Sequence, residues 1–336
     1  MPEKTHPRRG SLAHAPKKHA SDEKPRIRSW PDKGEVSLLG FPGYKAGMTH
    51  IFMVDDHPGR RTEGQEINVP VTILEVPPIR VCGIRVYGED YEGEKALTEV
   101  WAEEFSEDLS RRIKLPEDYG QEEAFDNAEK FMDKGKVEDV VVLFNTQPRL
   151  SSVPKKKPKV MELRLGGDSI EEKWDYSKDI LGEEVKFSEV FDEGNYSDVF
   201  AITKGKGFEG PVQRWGVKIQ PRKVQQARRH TGVLGPWNPN RIMSSVPTSG
   251  QEGYHQRMEY NKRILKVDEN GEKVTPDGGF LRFGEVQNEY VMIKGSVPGS
   301  TKRLVFMRKP IREKKELPTT PPDITYIDTS SQQGGN

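Results

Sequence analysis

The chain has 336 residues, enough for one large domain or two ordinary ones, and 53 basic side chains balance 53 acidic ones. Only 33% of it is hydrophobic and the mean hydropathy is -0.80, so a good part of the chain lies outside any compact core. One cysteine, Cys82, excludes an internal disulfide; no stretch reaches the roughly 20 apolar residues that span a bilayer, and the polar, basic start does not read as a secretory signal.

The zero net charge is an average over segments of opposite sign. Residues 1–33 carry nine basic against four acidic side chains with prolines between them and no apolar periodicity. Alone, such a segment cannot offset its ordering entropy by burial and is expected to be disordered. Arg8, Arg9, Lys17 and Lys18 make it a candidate arm that orders against phosphate.

From about residue 36 short runs rich in Val, Ile, Phe and Tyr alternate with Gly and Pro, which is strand chemistry. VPVTILEV (69–76) reads as a strand that Pro77–Pro78 ends, and Cys82, in IRVCGIRVY, reads as a small buried hydrophobe.

Residues 89–139 hold eighteen acidic and seven basic side chains. Trp101, Phe105 and Leu109 fall four apart, and Ala124, Ala128 and Phe131 also keep helical spacing. Two amphipathic helices are expected, separated by Pro116 and Gly120, with their acids on a solvated face turned away from any phosphate. VVVLFN (140–145) reads as a strand. In VPKKKPKVMELRLGG (153–167) the sign reverses, with Lys155, Lys156 and Lys157 at its centre. A short helix is expected near Ser169–Lys178, then a strand at SDVFAITKG. Strands return after 241, among them YVMIKGSVPG and KRLVFMRKP, before a polar tail.

The stretch 204–241 carries the chemistry. Lys204, Lys206, Arg214, Lys218, Arg222, Lys223, Arg228, Arg229 and Arg241 face one acid, Glu209, a net of +8 in 38 residues. A core would not choose this, because unpaired cations cannot be buried. Against phosphates each cation displaces a condensed counterion. Arginine forks onto phosphate and stacks on bases. The interleaved glycines let backbone and RNA approach closely, while Trp215 and Trp237 offer stacking faces. His230 follows the Arg228–Arg229 pair, and His255 and Arg257 lie in GYHQR; these too read as RNA contacts or packing. RNA is preferred to DNA, since no helix-turn-helix, zinc-finger or basic-zipper spacing occurs and a glycine-broken arm suits irregular RNA.

Rival motifs are weak. TKGKGFEG (203–210) has neither Walker A nor G-x-G-x-x-G spacing. Seven histidines form no ligand set beyond the loose pair His14 and His19, so structural zinc is not expected. No nucleophile signature marks an enzyme acting on RNA, and the acidic segment counts against a chromatin protein.

These residues carry a specific resemblance. GYKAGMTHI (43–51), VPKKKPKVME (153–162), TKGKGFEGPVQRWGVK (203–218), LGPWNPNRI (234–242), SGQEGYHQRMEYNKRI (249–264) and IKGSVPG (293–299) resemble the ribosomal protein L-three family of the large subunit, in its archaeal and eukaryotic form. The resemblance covers most of the chain, and the lack of a long basic C-terminal extension favours an archaeal source.

It implies an α+β, mainly β fold: a six-stranded translation-protein-like β-barrel with an α/β insertion, a long basic loop and extended tails. The expected organisation is a basic extension at 1–33, a barrel core at 34–88 and 185–310 holding an RNA-binding loop at 203–254, an insertion at 89–184 and a tail at 311–336. By the same likeness the loop runs through 23S-type ribosomal RNA toward the peptidyl transferase centre with Trp237 near its tip. The resemblance also implies a protein that helps nucleate assembly of the large subunit in the cytoplasm, beside neighbouring ribosomal proteins. No catalysis, cofactor, metal, membrane or small-molecule substrate is implied. One position departs from eukaryotic relatives: Gln225 stands where they carry a histidine, so that histidine's role is not carried over.

Overall fold

The computed structural model describes residues 7–91, 93–114, 120–313 and 317–333. Strands dominate and helices are few, the mainly β class that the alternating runs imply. Two compact units emerge, Met1–Glu23 with Ile202–Arg257 and Lys24–Ala201 with Met258–Asn336.

In chain order the strands are β1 (Gly40–Val54), β2 (Glu66–Glu75), β3 (Ile79–Asp90), β4 (Gly93–Trp101), β5 (Asp139–Asn145), β6 (Val160–Arg164), β7 (Glu184–Val185), β8 (Tyr196–Ile202), β9 (Gly205–Glu209), β10 (Gly250–Gly253), β11 (Gln256–Asp268), β12 (Tyr290–Lys294), β13 (Leu304–Arg308) and β14 (Ile324–Ile327). The helices are α1 (Gln121–Asp133), α2 (Ile170–Asp179) and the single turn α3 (Pro211–Trp215).

Seven strands of the larger unit pair in the order β13-β8-β11-β12-β2-β1-β14. The length of β1 lets it pair twice along one side: residues 40–44 meet β13 and residues 51–53 meet β14. Strand β13 therefore bonds both β8 and β1. Phe41, Phe187, Tyr290 and Phe306 are fully buried in the core of this unit.

A second sheet runs β4-β3-β5-β6, with β7 also on β3. It begins at Ile79, because Pro77–Pro78 ends β2 and the next run pairs with β4 and β5 instead. Helix α1 packs Ala124, Phe125, Ala128, Phe131 and Met132 on this sheet, as their spacing implies, and Phe125 meets Trp174 of α2 edge to face at 5.8 Å. Ser169 caps α2 by accepting from Glu172 N, and acids fill its first turn.

The other expected helix does not form. Trp101 ends β4, and Leu109 sits in a single 3-10 turn, Glu107–Arg111. The ladder from β3 supplies the backbone partners of residues 93–101, and it outweighs the four-residue spacing. The apolar side chains still converge: Leu109 is buried with Cys82 and Leu143, and Trp101 and Phe105 pack on them. Burial pushes the Cys82 thiol up to about 12, so it is an inert core residue. Pro116 lies outside the described residues.

The second half of the N-terminal extension is held rather than loose. Ile27 and Trp30 pack on the core, with Trp30 edge to face on Phe306 at 6.0 Å. Arg308 donates to Ser29 O and pairs with Asp198, both side chains of that pair being 0% exposed. Asp198 also accepts from the backbone N–H of Asn261 and Ile311.

Among the described residues, Asp55, Asp56 and His57 are the one group whose ligand-type atoms lie within 4.8 Å of one another. Their oxygens are already engaged. Asp56 takes a two-pronged ion pair from buried Arg263, and Asp55 accepts from Thr62 and from His57 N.

Two outcomes are expected. Asp198→Ala leaves Arg308 charged, buried and unpaired and should cost about 3–5 kcal/mol by denaturant titration; a loss under ~1 kcal/mol would remove the pair from the framework. The Arg263 hydrogen bond holds the Asp56 carboxyl below the usual carboxylate range. Its stabilisation is present above the unfolded value of about 3.9 and lost as pH falls through the depressed one. The stability gap between wild type and Asp56→Asn should therefore be full at neutral pH and close in acid; a gap independent of pH would contradict this.

Candidate nucleic-acid interface

The smaller unit joins residues 7–23 to the segment between β8 and β11. Its root is a two-stranded ribbon in which β9 and β10 pair with Glu209 opposite Gly250 and Phe208 opposite Gln251. Gly253 closes it at φ +74, and a Cβ there would lie 2.1 Å from Lys204 O, so only glycine fits. Tyr254 N donates to Lys204 O, and Thr203 N to His255 O.

After the ribbon, GPVQRWG folds into α3. Pro211 occupies the first turn, and Gly216 ends it in the left-handed region. This turn aims Arg214 and Trp215 back at the ribbon. Arg214 donates to the carbonyls of Gln251 and Thr248, each at 3.0 Å, and to Lys17 O at 3.4 Å. Trp215 is buried, with Nε1 donating to Thr248 O at 2.9 Å.

The arm crosses this indole. A Cβ on Gly10 would lie 2.4 Å from Trp215 Cε3. Lys17 Nζ stands 4.7 Å from the ring centroid, with the Arg214 and Arg8 guanidinium carbons at 5.4 and 5.7 Å. Lys17 also donates to Arg214 O and pairs with Glu252 at 2.8 Å. His19 stacks on Tyr254 at 4.2 Å between centroids. His255 is buried: Nε2 accepts from Gly253 N, so Nδ1 carries the proton and donates to Lys18 O at 2.8 Å.

Several of the sequence-predicted contacts have partners in the chain and are at least half-buried. Trp215 and His255 are buried, Arg214 and Lys17 are largely enclosed, and half-buried Arg257 donates to Gln256 O. Lys17, Arg214, Trp215 and His255 are held where arm, ribbon and α3 converge.

The remaining predicted residues of this unit present outward. Arg8, Arg9, Lys18, Lys204, Lys206, Lys218, Arg222, Lys223, Arg228, Arg229 and Arg241 are exposed. His230 is half-buried against Thr231 O. Residues 217–249 contain no helix or strand and no acidic side chain. A few local bonds shape them, such as Gln220 N to Arg228 O and the Thr231 hydroxyl to Pro247 O. Trp237 is 95% exposed. In the larger unit Lys155, Lys156 and Lys157 are also exposed, between buried Val153 and Pro158.

Sequence reasoning missed the apolar part of this surface. Val233, Leu234, Ile242, Met243 and Phe208 are exposed beside the cations. The available signal was an aromatic or aliphatic residue within a Lys- and Gly-rich run that has no periodicity to bury it. A surface of this kind attracts polyanions and stacks on flat rings.

Comparison with known proteins agrees with this chemistry. A family model described as Ribosomal protein L3 matches residues 1–334. The large ribosomal subunit protein uL3 of Methanopyrus kandleri is 52% identical over 98% of this chain and 91% of its own length. Its counterparts in Methanocaldococcus jannaschii and Methanothermobacter thermautotrophicus are 51% and 52% identical, over 98% of each chain. By that match, end to end, the chain belongs to the ribosomal protein L3 family.

Proposed function

We propose that this chain is a structural constituent of the large ribosomal subunit and binds the subunit's RNA without catalysing a reaction. Residues 217–249 carry the reading: a stretch without regular structure whose cations and Trp237 face solvent with no acid among them. Unpaired like charges held together lower their free energy by meeting a polyanion. The relatives' printed name, large ribosomal subunit protein, supplies the particle.

The finer parts rest on the same basis. The loop, expected at 203–254, extends into 23S-type RNA toward the peptidyl transferase centre, with Trp237 near its tip. The exposed arm cations Arg8, Arg9 and Lys18 and the Lys155–Lys157 run add contacts. Neighbouring ribosomal proteins and the cytoplasmic ribosome are the setting, and early RNA assembly is the role. Double bonding of β13, to β8 and to β1, supports reading β13, β8, β11, β12, β2 and β1 as a six-stranded barrel.

The test is binding of the full chain to large-subunit ribosomal RNA across a salt series. A steep negative slope is expected. Arg228→Ala with Arg229→Ala should flatten it by about 0.7–0.9 for each phosphate lost; an unchanged slope removes both from the contact set. Trp237→Ala should leave the thermal unfolding of the free chain unchanged, since the residue is 95% exposed, and should slow peptide transfer in subunits that carry it. A large stability loss would instead make Trp237 a core residue.

A further inference from the structure

We propose that Phe208 is a stacking platform for a single unpaired base of the bound RNA, flanked by Lys204 and Lys206 as its phosphate contacts. The inference deepens the RNA-binding reading and rests on it.

Phe208 lies in the β9–β10 ribbon, whose backbone is tied on both strands, yet the residue is 78% exposed. A single exposed apolar residue is ordinary; its surroundings are what distinguish this one. Gln251 stands opposite, and its amide is engaged with the carbonyls of Glu252 and Gly253. Of the four residues before Phe208 only Lys204 and Lys206 carry side chains, since Gly205 and Gly207 have none.

Lys204 and Lys206 are exposed and form no salt bridge among the described residues. The pairing slips by one residue between Gly205 and Gly207, so Lys206 is the extra residue of a bulge and is aimed off the regular pleat. An exposed aromatic residue on a tied backbone and two exposed ammonium groups without a salt bridge within four residues match a nucleotide: a flat base carrying a phosphate. A protein partner's apolar pocket would instead have to desolvate both lysines without counter-charges.

The experiment titrates large-subunit ribosomal RNA with full-length wild type, Phe208→Leu, Phe208→Trp and Lys206→Ala over a salt series. Phe208→Leu, still apolar but without a π face, should weaken binding about tenfold at every salt concentration with the slope unchanged. Phe208→Trp should bind at least as well as wild type. Lys206→Ala should lower the slope by roughly 0.7–0.9. The thermal unfolding of Phe208→Leu should match wild type, which separates stacking from folding. Equal binding by Phe208→Leu overturns the platform while leaving the RNA-binding reading intact, whereas failure of wild type to bind overturns both. Photocrosslinking of 4-thiouridine-substituted RNA in intact subunits should label the Gly205–Glu209 peptide. Labelling of other peptides of the smaller unit but not of this one would also overturn it.

Discussion

A segment with a net charge of +8 in 38 residues cannot build its own core, and the smaller unit is organised around that constraint. Repulsion must be met by neutral acceptors, because only Glu209 is at hand and Glu252 is the next acid along the chain. The acceptors are backbone carbonyls. Arg214 collects those of Lys17, Thr248 and Gln251, and Lys17 takes that of Arg214. Trp215 fills the centre as an uncharged body over which cations can rest. The order ends where these acceptors end, and beyond Gly216 regular structure stops until Gly250.

The larger unit solves the opposite problem. It is rich in acids, and most of those that are enclosed have a named partner. Asp198 is answered by Arg308 and Asp56 by Arg263. Glu75 and Glu289 accept from backbone N–H groups at Gln287, Asn288, Phe187 and Ser188, although burial still pushes both carboxyls up. On α1, Glu122, Glu123, Asp126 and Glu129 are exposed to water, where like charges cost little. The zero net charge of the whole chain thus hides a paired, partly solvated acidic body and an unpaired basic loop.

Much of the fold was legible in sequence because it rests on local pattern. The Val-rich runs VPVTILEV and VVVLFN marked β2 and β5, and the short helix expected near Ser169–Lys178 is α2. The Trp101–Leu109 spacing misled because strand pairing with β3 is a long-range fact that no local window contains. The same limit governs the candidate site. Charge and glycine content located the loop, but not which cations face inward. Trp215 and Trp237 look alike in sequence. One is buried under the arm and the other almost wholly exposed, a difference set by residues 8–17, some two hundred positions away. Phe208 escaped notice because Lys and Gly dominate TKGKGFEG, and one aromatic among them changes neither its charge nor any periodicity.

The arm lying across Trp215 has a thermodynamic consequence. Lys17, Lys18 and Gly10 make their contacts only when the ribbon and α3 are in place, and Arg214 reaches Lys17 O only when the arm is. Ordering of the two segments is therefore one equilibrium. Any ligand that prefers the loop in its rooted form must tighten the arm by the same free energy, and one that captures the docked arm must stiffen the loop in return. Reciprocity of this kind lets two segments some two hundred residues apart respond to RNA as a single cooperative grip.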